Sequence, residues 1–238
     1  CDPAEDRQQD VVDRYRDTDV VSSFDALLAR EDVQAVMLAT PAEDHFRQAR
    51  AALFAGKHTF VEKPLALHTA ECDELIALAG ERGLTLMTGH TFLYSPAVRM
   101  LSEIVASGEL GQILYCSSQR LNLGAIRTDT SAMWDLAPHD IAILLHLFGG
   151  FPDAVSAQQF SLLGERREDI AMITMNFRSG PVGHVQVSRL DPRKVRELTI
   201  VGDRKMAVYD DTDAEMPIRI YDKGIAERPS ADLHHADF

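Results

Sequence analysis

The chain has 238 residues, of which 45% are hydrophobic and 26% are charged, a balance typical of a globular protein. Its formal net charge of −13 argues against nucleic-acid binding, which needs clustered lysine and arginine. The sequence has no apolar run of the roughly 18 residues that a membrane span requires and no charged-then-apolar leader, so we expect no membrane partner.

The three cysteines, Cys1, Cys72 and Cys116, are an odd number and show no C-x-x-C spacing. This pattern predicts neither a disulfide framework nor a zinc site. It is typical of a reducing compartment, so we expect the protein in the cytoplasm.

Through residue 89 the sequence alternates short apolar strands with helices. Helices are predicted at 4–15, 23–30, 43–55 and 69–82, and strands at 35–39, 58–61 and 84–89. Such alternation is typical of βαβ units, and right-handed crossovers then give a doubly wound parallel sheet. We therefore predict a partial Rossmann domain at residues 1–89.

After Gly89 strands dominate. Helices are predicted at 96–107 and 135–148, and strands at 113–121, 154–162, 169–177, 183–189, 197–202 and 206–209. Turn sequences at 179–181 and 202–204 favour antiparallel hairpins, and the alternation in 182–188 favours a sheet with one packed and one open face. We predict an α+β domain at 90–238 with a large, mostly antiparallel open sheet. The tail beyond Asp210 shows little pattern.

The segment Glu62-Lys63-Pro64 ends the strand at 58–61, because proline cannot donate to a sheet. Lys63 then lies at the carboxyl end of a strand, where ligands bind in open α/β sheets. A lysine there can hydrogen-bond a substrate hydroxyl and stabilise alkoxide character. The alternative is a solvated lysine at a strand end. We also expect a cis Lys63–Pro64 bond, since tight strand-end turns often contain one.

Asp135 and His139 are four residues apart, so at helical pitch they share a face. A carboxylate beside an imidazole increases its basicity and fixes its tautomer, as a general base for an alcohol proton requires. In the alternative, Asp135 caps the helix, Pro138 lies in its first turn and His139 is a partly buried helix residue. The nearby Asp and His lack metal-ligand spacing, so we expect no metal.

Thr40-Pro41-x3-His45 follows the strand at 35–39, at the same edge as Lys63. The start of the next helix could present N–H groups to a ribose or a pyrophosphate, or it could be an ordinary capped loop. Asp2 comes at the expected end of a strand, where a carboxylate can bind ribose hydroxyls. The alternative for Asp2 is a surface or capping residue next to Pro3.

Taken in order, Thr40-Pro41-x3-His45, Glu62-Lys63-Pro64 and Asp135-x3-His139 resemble the Gfo/Idh/MocA family of NAD(P)-dependent oxidoreductases. The resemblance implies a Rossmann domain followed by a domain built on a large open sheet. It makes Lys63 and His139 the catalytic pair, with Asp135 orienting His139.

The resemblance also assigns side chains to the two ligands. The cofactor side comprises Asp2, Thr40, Pro41, His45, Glu62, Lys63 and His90. Asp2 favours NAD over NADP, because a carboxylate repels a 2′-phosphate. The substrate side comprises Lys63, Arg120, Asn122, Trp134 and His139.

The stretches 89–96, 120–124 and 134–140 resemble family members from surface-polysaccharide and nucleotide-sugar pathways. Many other members carry Asn-x-Arg near positions 91–94, where this chain has Thr-Phe-Leu-Tyr, so their sugar recognition does not transfer. Arg120 and Asn122 are the candidate substrate contacts here. The alternative is that both are ordinary strand and turn residues on a solvent-exposed face.

The family's glycine-rich G-x-G-x-x-G turn does not occur in these 238 residues. We interpret the sequence as a fragment that lacks roughly the first thirty residues of a βαβ unit, and expect it to bind dinucleotide poorly by itself.

The predicted function is hydride transfer between nicotinamide and a secondary hydroxyl of a sugar, in particular a nucleotide sugar, in a homodimer or homotetramer formed through the open sheet. The rivals are an NAD-dependent glycosidase, an anhydrosugar reductase and a non-catalytic sugar-binding or regulatory relative.

Overall fold

The computed structural model describes residues 1–124, 130–164 and 167–225, and the chain divides into two compact units, Cys1–Gly89 and a second from His90 onward. Residues 226–238, the last part of the predicted tail beyond Asp210, lie outside the described residues. Within the described part, no helix has the length and apolar character to cross a membrane.

The first unit is a parallel three-stranded sheet with helices packed on it. Its elements are α1 (Glu5–Arg14), α2 (Phe24–Leu28), β1 (Ala35–Leu38), α3 (Ala42–Phe54), β2 (His58–Val61), α4 (Thr69–Arg82) and β3 (Leu86–Thr88). The strand order is β1-β2-β3. Val36, Leu38 and Val61 pack with apolar residues of α3 and α4, so one face of the sheet is the core.

The second unit is a seven-stranded sheet with two long helices. After a 3₁₀ turn (Thr91–Tyr94), its elements are α5 (Pro96–Ala106), β4 (Ile113–Leu123), α6 (Ala132–Phe148), β5 (Ala154–Phe160), β6 (Ile170–Asn176), β7 (Val182–Ser188), β8 (Leu190–Gly202), β9 (Met206–Asp210) and β10 (Ile218–Tyr221). The order is β10-β9-β8-β4-β7-β6-β5, and every pair except β4–β7 is antiparallel. The predicted fold class is confirmed.

Alternate residues of the central strands form the core of this unit. Ile173, Val185 and Ile200 are buried and pack with α5 and α6. On the other face Tyr115 and Met172 remain exposed, and β5 is exposed along its whole length. The sheet therefore has one packed face and one open face, as the alternation at 182–188 predicts.

Most boundaries agree with the prediction to within two residues, and the larger differences are the starts of α6 and β8 and the presence of β10. Helix α6 begins at Ala132, because Ser131 is the N-cap and its hydroxyl accepts from the Trp134 N–H at 3.3 Å; Asp135 is therefore not the cap, and Pro138 lies inside the helix. Strand β8 begins at Leu190, since a shift in its pairing with β4 accommodates Pro192. Strand β10 was not predicted, because it has only four residues and lies in a stretch that shows little pattern.

Candidate functional site

The register of the parallel sheet brings three strand ends to one edge. Leu38, Val61 and Thr88 are directly paired across β1, β2 and β3. The residues that follow them therefore leave the sheet side by side. Ligands of open α/β sheets bind at this carboxyl edge, so the first unit has the geometry of a ligand-binding rim.

Glu62 and Gly89 are neighbours on this rim. The Glu62 N–H donates to Leu38 and the Gly89 N–H donates to Val61, each at 2.8 Å. A Cβ placed on Gly89 would lie 3.0 Å from Oε2 of Glu62, so any other residue there would push this carboxylate aside by a few tenths of an ångström. The same oxygen accepts from the Lys63 N–H at 3.3 Å, which fixes the backbone beside the candidate catalytic lysine.

The Lys63–Pro64 bond is cis, as predicted. The structure places Lys63 two residues beyond β2, in a half-buried position. Thr40 holds the corresponding position after β1 and is exposed, with its hydroxyl donating to Gln48 at 2.7 Å. Both residues lie at the rim of the first unit, and their contacts with ligands stay predictions.

His45, which the resemblance assigns to the cofactor, is only 1% exposed. Its Nδ1 lies 2.7 Å from the Pro64 carbonyl oxygen and its Nε2 lies 2.8 Å from the Thr40 carbonyl oxygen. Both ring nitrogens therefore face the backbone of the protein. A direct cofactor contact of this ring stays a prediction.

Asp2 lies beside the start of α1. Its Oδ1 accepts the Ala4 N–H at 2.9 Å, and Arg7 lies 3.4 Å from its Oδ2. The Ala4 N–H and then Arg7 hold the pKa of this carboxyl below its usual range. The carboxylate thus bonds the N–H of Ala4, which is itself the N-cap residue of α1, and ribose binding by the carboxylate stays a prediction.

Helix α6 carries the candidate proton-transfer residue His139 in the second unit. The His139 ring lies edge-on to Phe92, with ring centroids 4.8 Å apart. The Arg120 guanidinium lies over the Phe92 ring, 4.7 Å from its centroid. The imidazole is thus supported by an aromatic ring that itself lies against a cation.

Arg120 is buried, at 6% exposure, and is held by Asp140, the residue after His139. Its Nε donates to Oδ2 of Asp140 at 2.7 Å and its Nη2 donates to Oδ1 at 3.2 Å, while Ser118 donates to Oδ1 at 2.8 Å. This geometry accounts for Arg120 without a substrate. Its predicted substrate contact is untested, as is that of the half-buried Asn122.

The carboxylate of Asp135 is bound by Arg189, at 2.9 Å from Nη2 to Oδ2. Arg189 is 6% exposed and also donates to the carbonyls of Thr130 and Ser131, at 3.0 and 3.5 Å, so it ties the start of α6 to the junction of β7 and β8. The role of Asp135 in orienting His139 remains a prediction.

Sequence reasoning missed Phe92, Asp140 and Arg189. Asp140 offered a signal, because a charged residue directly after His139 in a mostly apolar helix requires a buried partner. Phe92 and Arg189 offered none, since their contacts depend on how distant segments pack.

His90 lies beside a cavity of about 300 Å³ along α6, lined otherwise by apolar side chains that include Trp134, Pro138, Ile141 and Leu145. Burial lowers the pKa of His90, and among the described residues its buried Nδ1 has no hydrogen-bond partner. The half-exposed Trp134 borders the same cavity. No cluster of His, Cys, Asp or Glu within the described ranges could hold a metal ion.

Comparison with known proteins agrees with the class of fold described above, a Rossmann-like unit followed by a unit built on an open sheet. Residues 1–90 match the family model of the Gfo/Idh/MocA oxidoreductases with an NAD-binding Rossmann fold, and residues 98–208 match the model of the Gfo/Idh/MocA C-terminal domain. The chain belongs to the Gfo/Idh/MocA family.

Among similar proteins, UDP-N-acetylglucosamine 3-dehydrogenase of Acidithiobacillus ferrooxidans is 33% identical over 87% of this chain and 64% of its own length. A 2,7-anhydro-N-acetylneuraminate hydratase of Mediterraneibacter gnavus is 31% identical over 68% of this chain and 47% of its own length. The crystal structure of GenD2 from gentamicin A biosynthesis, in complex with NAD, superposes with a TM-score of 0.81 at 27% identity, over 88% of this chain and 63% of that one. The chain thus spans less than two thirds of each of these relatives.

The lowered pKa of His90 predicts a pH-dependent stability. Because the folded-state pKa lies below the unfolded value of about 6.5, the unfolded chain takes up the proton first as the pH falls, and stability decreases below that value. We expect Tm to fall more between pH 8 and pH 5 in the wild type than in His90→Phe, by differential scanning fluorimetry. The variant of the exposed His146, His146→Gln, should follow the wild type. Equal pH slopes in the wild type and His90→Phe would contradict the prediction.

Proposed function

We propose that the protein transfers hydride between a nicotinamide cofactor and a secondary hydroxyl of a sugar, most specifically a nucleotide sugar. The observation that carries this proposal is the register of β1, β2 and β3, which brings the residues after three strands to one edge of an NAD-binding family domain. The names of the nucleotide-sugar dehydrogenase and of the NAD-bound relative support the chemistry.

The rim residues fit the ribose side of a dinucleotide. Gly89 leaves room above Glu62, whose carboxylate can accept from hydroxyls, and the exposed Thr40 hydroxyl can bind one. Pro41 precedes α3, whose first N–H groups favour anionic groups. The ionised Asp2 favours an unphosphorylated ribose and hence NAD, with NADP as the alternative.

When bound, the nicotinamide supplies the hydride acceptor, and side chains of this protein bind the substrate hydroxyl and transfer its proton. His139 takes the hydroxyl proton in the oxidative direction and returns it in the other. Lys63 donates a hydrogen bond to the same oxygen and stabilises its developing negative charge. Phe92 holds the imidazole plane, and Asp135, anchored by Arg189, supports its orientation. Trp134, exposed and next to Asp135, offers an apolar face to a sugar ring.

An alternative on the same scaffold is a reaction of an anhydrosugar. The specific observation in its favour is the similarity to a 2,7-anhydro-N-acetylneuraminate hydratase over 68% of this chain. Product analysis separates the two: a dehydrogenase leaves net reduced cofactor, whereas a hydratase converts the anhydrosugar without net change in NAD.

In this proposal the first unit binds cofactor, the second binds substrate, and the open face of the second forms a homodimer or homotetramer contact. Tyr115 is paired with Val182 across β4 and β7, and Met172 of β6 points to the same face. All three are exposed, so the face leaves apolar area in water. All three cysteines are free thiols, which supports our assignment to the cytoplasm.

Because Lys63 and His139 are proposed to act on one oxygen, their removal should not be additive. In the intact protein we expect His139→Ala to lower kcat by about 10²–10⁴ and Lys63→Ala by about 10²–10³. The double variant should lose much less than the product of the two factors. Steady-state NADH absorbance on the best of a panel of nucleotide sugars measures this.

The controls for this comparison of single and double variants are Lys194→Ala and His146→Ala. They replace an exposed lysine on β8 and an exposed histidine on α6. Both should retain wild-type turnover. Full activity in either Lys63→Ala or His139→Ala would refute the assignment of the pair and favour a non-catalytic relative.

The oligomer proposal predicts that charge on the open face weakens association. We expect Met172→Glu combined with Tyr115→Glu to shift the mass measured by light scattering from that of an oligomer toward that of a monomer. The control is Ile76→Glu, a still more exposed apolar residue on α4 of the first unit, which should leave the mass unchanged. A monomeric wild type, or an unchanged mass in the double variant, would rule out this interface.

A further inference from the structure

The side chain of His45 bridges the two loops that the proposed function depends on. It lies in the first turn of α3, and its ring nitrogens are 2.8 Å from the carbonyl oxygen of Thr40 and 2.7 Å from that of Pro64. Thr40 belongs to the loop after β1, and Pro64 to the loop after β2. The two contacts therefore connect the loops that follow β1 and β2, and one of them involves the residue directly after Lys63.

The chemistry of these contacts makes the histidine a cross-link. Carbonyl oxygens only accept, so the ring nitrogen that carries an N–H donates to the carbonyl it faces, while the other ring nitrogen lies against the second loop. The His45 side chain is almost fully shielded from water, at 1% exposure, and its removal takes from both loops the side chain that the two carbonyls share as a contact.

We propose that His45 is a positioning residue that clamps the loops after β1 and β2, and so sets the places of Thr40 and Lys63. The inference rests on the proposed function for its consequence, because these loops carry the groups assigned to cofactor and substrate. The clamp itself is a property of the folded first unit.

The chain contains a matched control at the other end of the same strand. Lys57 directly precedes β2, is also buried, and donates from Nζ to the carbonyls of Arg30 and Val33, at 2.7 and 2.8 Å. Both side chains tie two backbone carbonyls of the first unit. Of these two side chains, His45 lies at the carboxyl edge of the sheet and Lys57 at the opposite edge.

The test compares His45→Phe with Lys57→Met in the intact protein. We expect a lower Tm in both. Hydrogen–deuterium exchange followed by mass spectrometry should show faster exchange in segments 38–44 and 61–67 for His45→Phe alone. NAD binding, by titration calorimetry, should weaken about tenfold in His45→Phe, as the loss of one or two net hydrogen bonds implies, and stay within twofold of wild type in Lys57→Met.

Wild-type exchange in both segments of His45→Phe would overturn the clamp, and so would an equal effect of Lys57→Met on these segments. These readouts need no turnover, so they judge the clamp separately from the reaction. If the wild-type protein shows no nicotinamide chemistry while the exchange result holds, the proposed function fails and the clamp stands. A His45→Gln variant that recovers part of the NAD affinity would confirm that hydrogen bonding is responsible, and one as weak as His45→Phe would count against it.

Discussion

The buried ion pair between Arg120 and Asp140 is the interaction on which the second unit depends. Removing one partner of such a pair typically costs about 3–5 kcal/mol, whereas replacing both by apolar groups can cost nothing. The pair is therefore costly to break by removing one partner, whatever its net contribution to stability. It ties α6 to β4, the central strand of the sheet, and so fixes which side of the helix faces the core.

The ion pair also constrains the candidate catalytic residue His139. Successive helical residues are about 100° apart, so a fixed Asp140 also fixes the direction in which His139 leaves the helix. Arg120 lies over Phe92, and Phe92 lies edge-on to His139, so the same guanidinium supports the imidazole by a second route. The Arg189–Asp135 pair adds a further anchor one turn earlier. Two buried arginines thus anchor α6 through carboxylates that precede and follow His139.

In the first unit, buried side chains are anchored by backbone carbonyls instead of by carboxylates. His45 and Lys57 each direct polar hydrogens at backbone carbonyls, at opposite ends of β2. The parallel register then places the ends of three strands in line. Rigid strands that carry adaptable loop residues are the usual basis of a ligand site, since the sheet supplies precision and the loops supply chemistry.

Much of this architecture could be predicted from the sequence, because it depends on local patterns. Proline and glycine ended strands and helices where expected, and the alternation at 182–188 gave the open face. Helix α6 began three residues early, since Ser131 made a better cap than Asp135 and the helix tolerated Pro138. The partners of Arg120, Asp135 and His45 could not be predicted. Each lies where segments distant in sequence, or a backbone carbonyl with no side-chain signature, are brought together by packing.

The most direct measurement of the central claim follows the hydrogen itself. The intact protein is incubated with NAD and nucleotide sugars that carry deuterium at the carbinol carbon, and the reduced cofactor is analysed by mass spectrometry. We predict that one deuterium passes from sugar to nicotinamide and that a keto sugar accumulates in equal amount. Conversion of a sugar with its deuterium retained or lost to water, or no reduced cofactor with any sugar of the panel, would contradict the account.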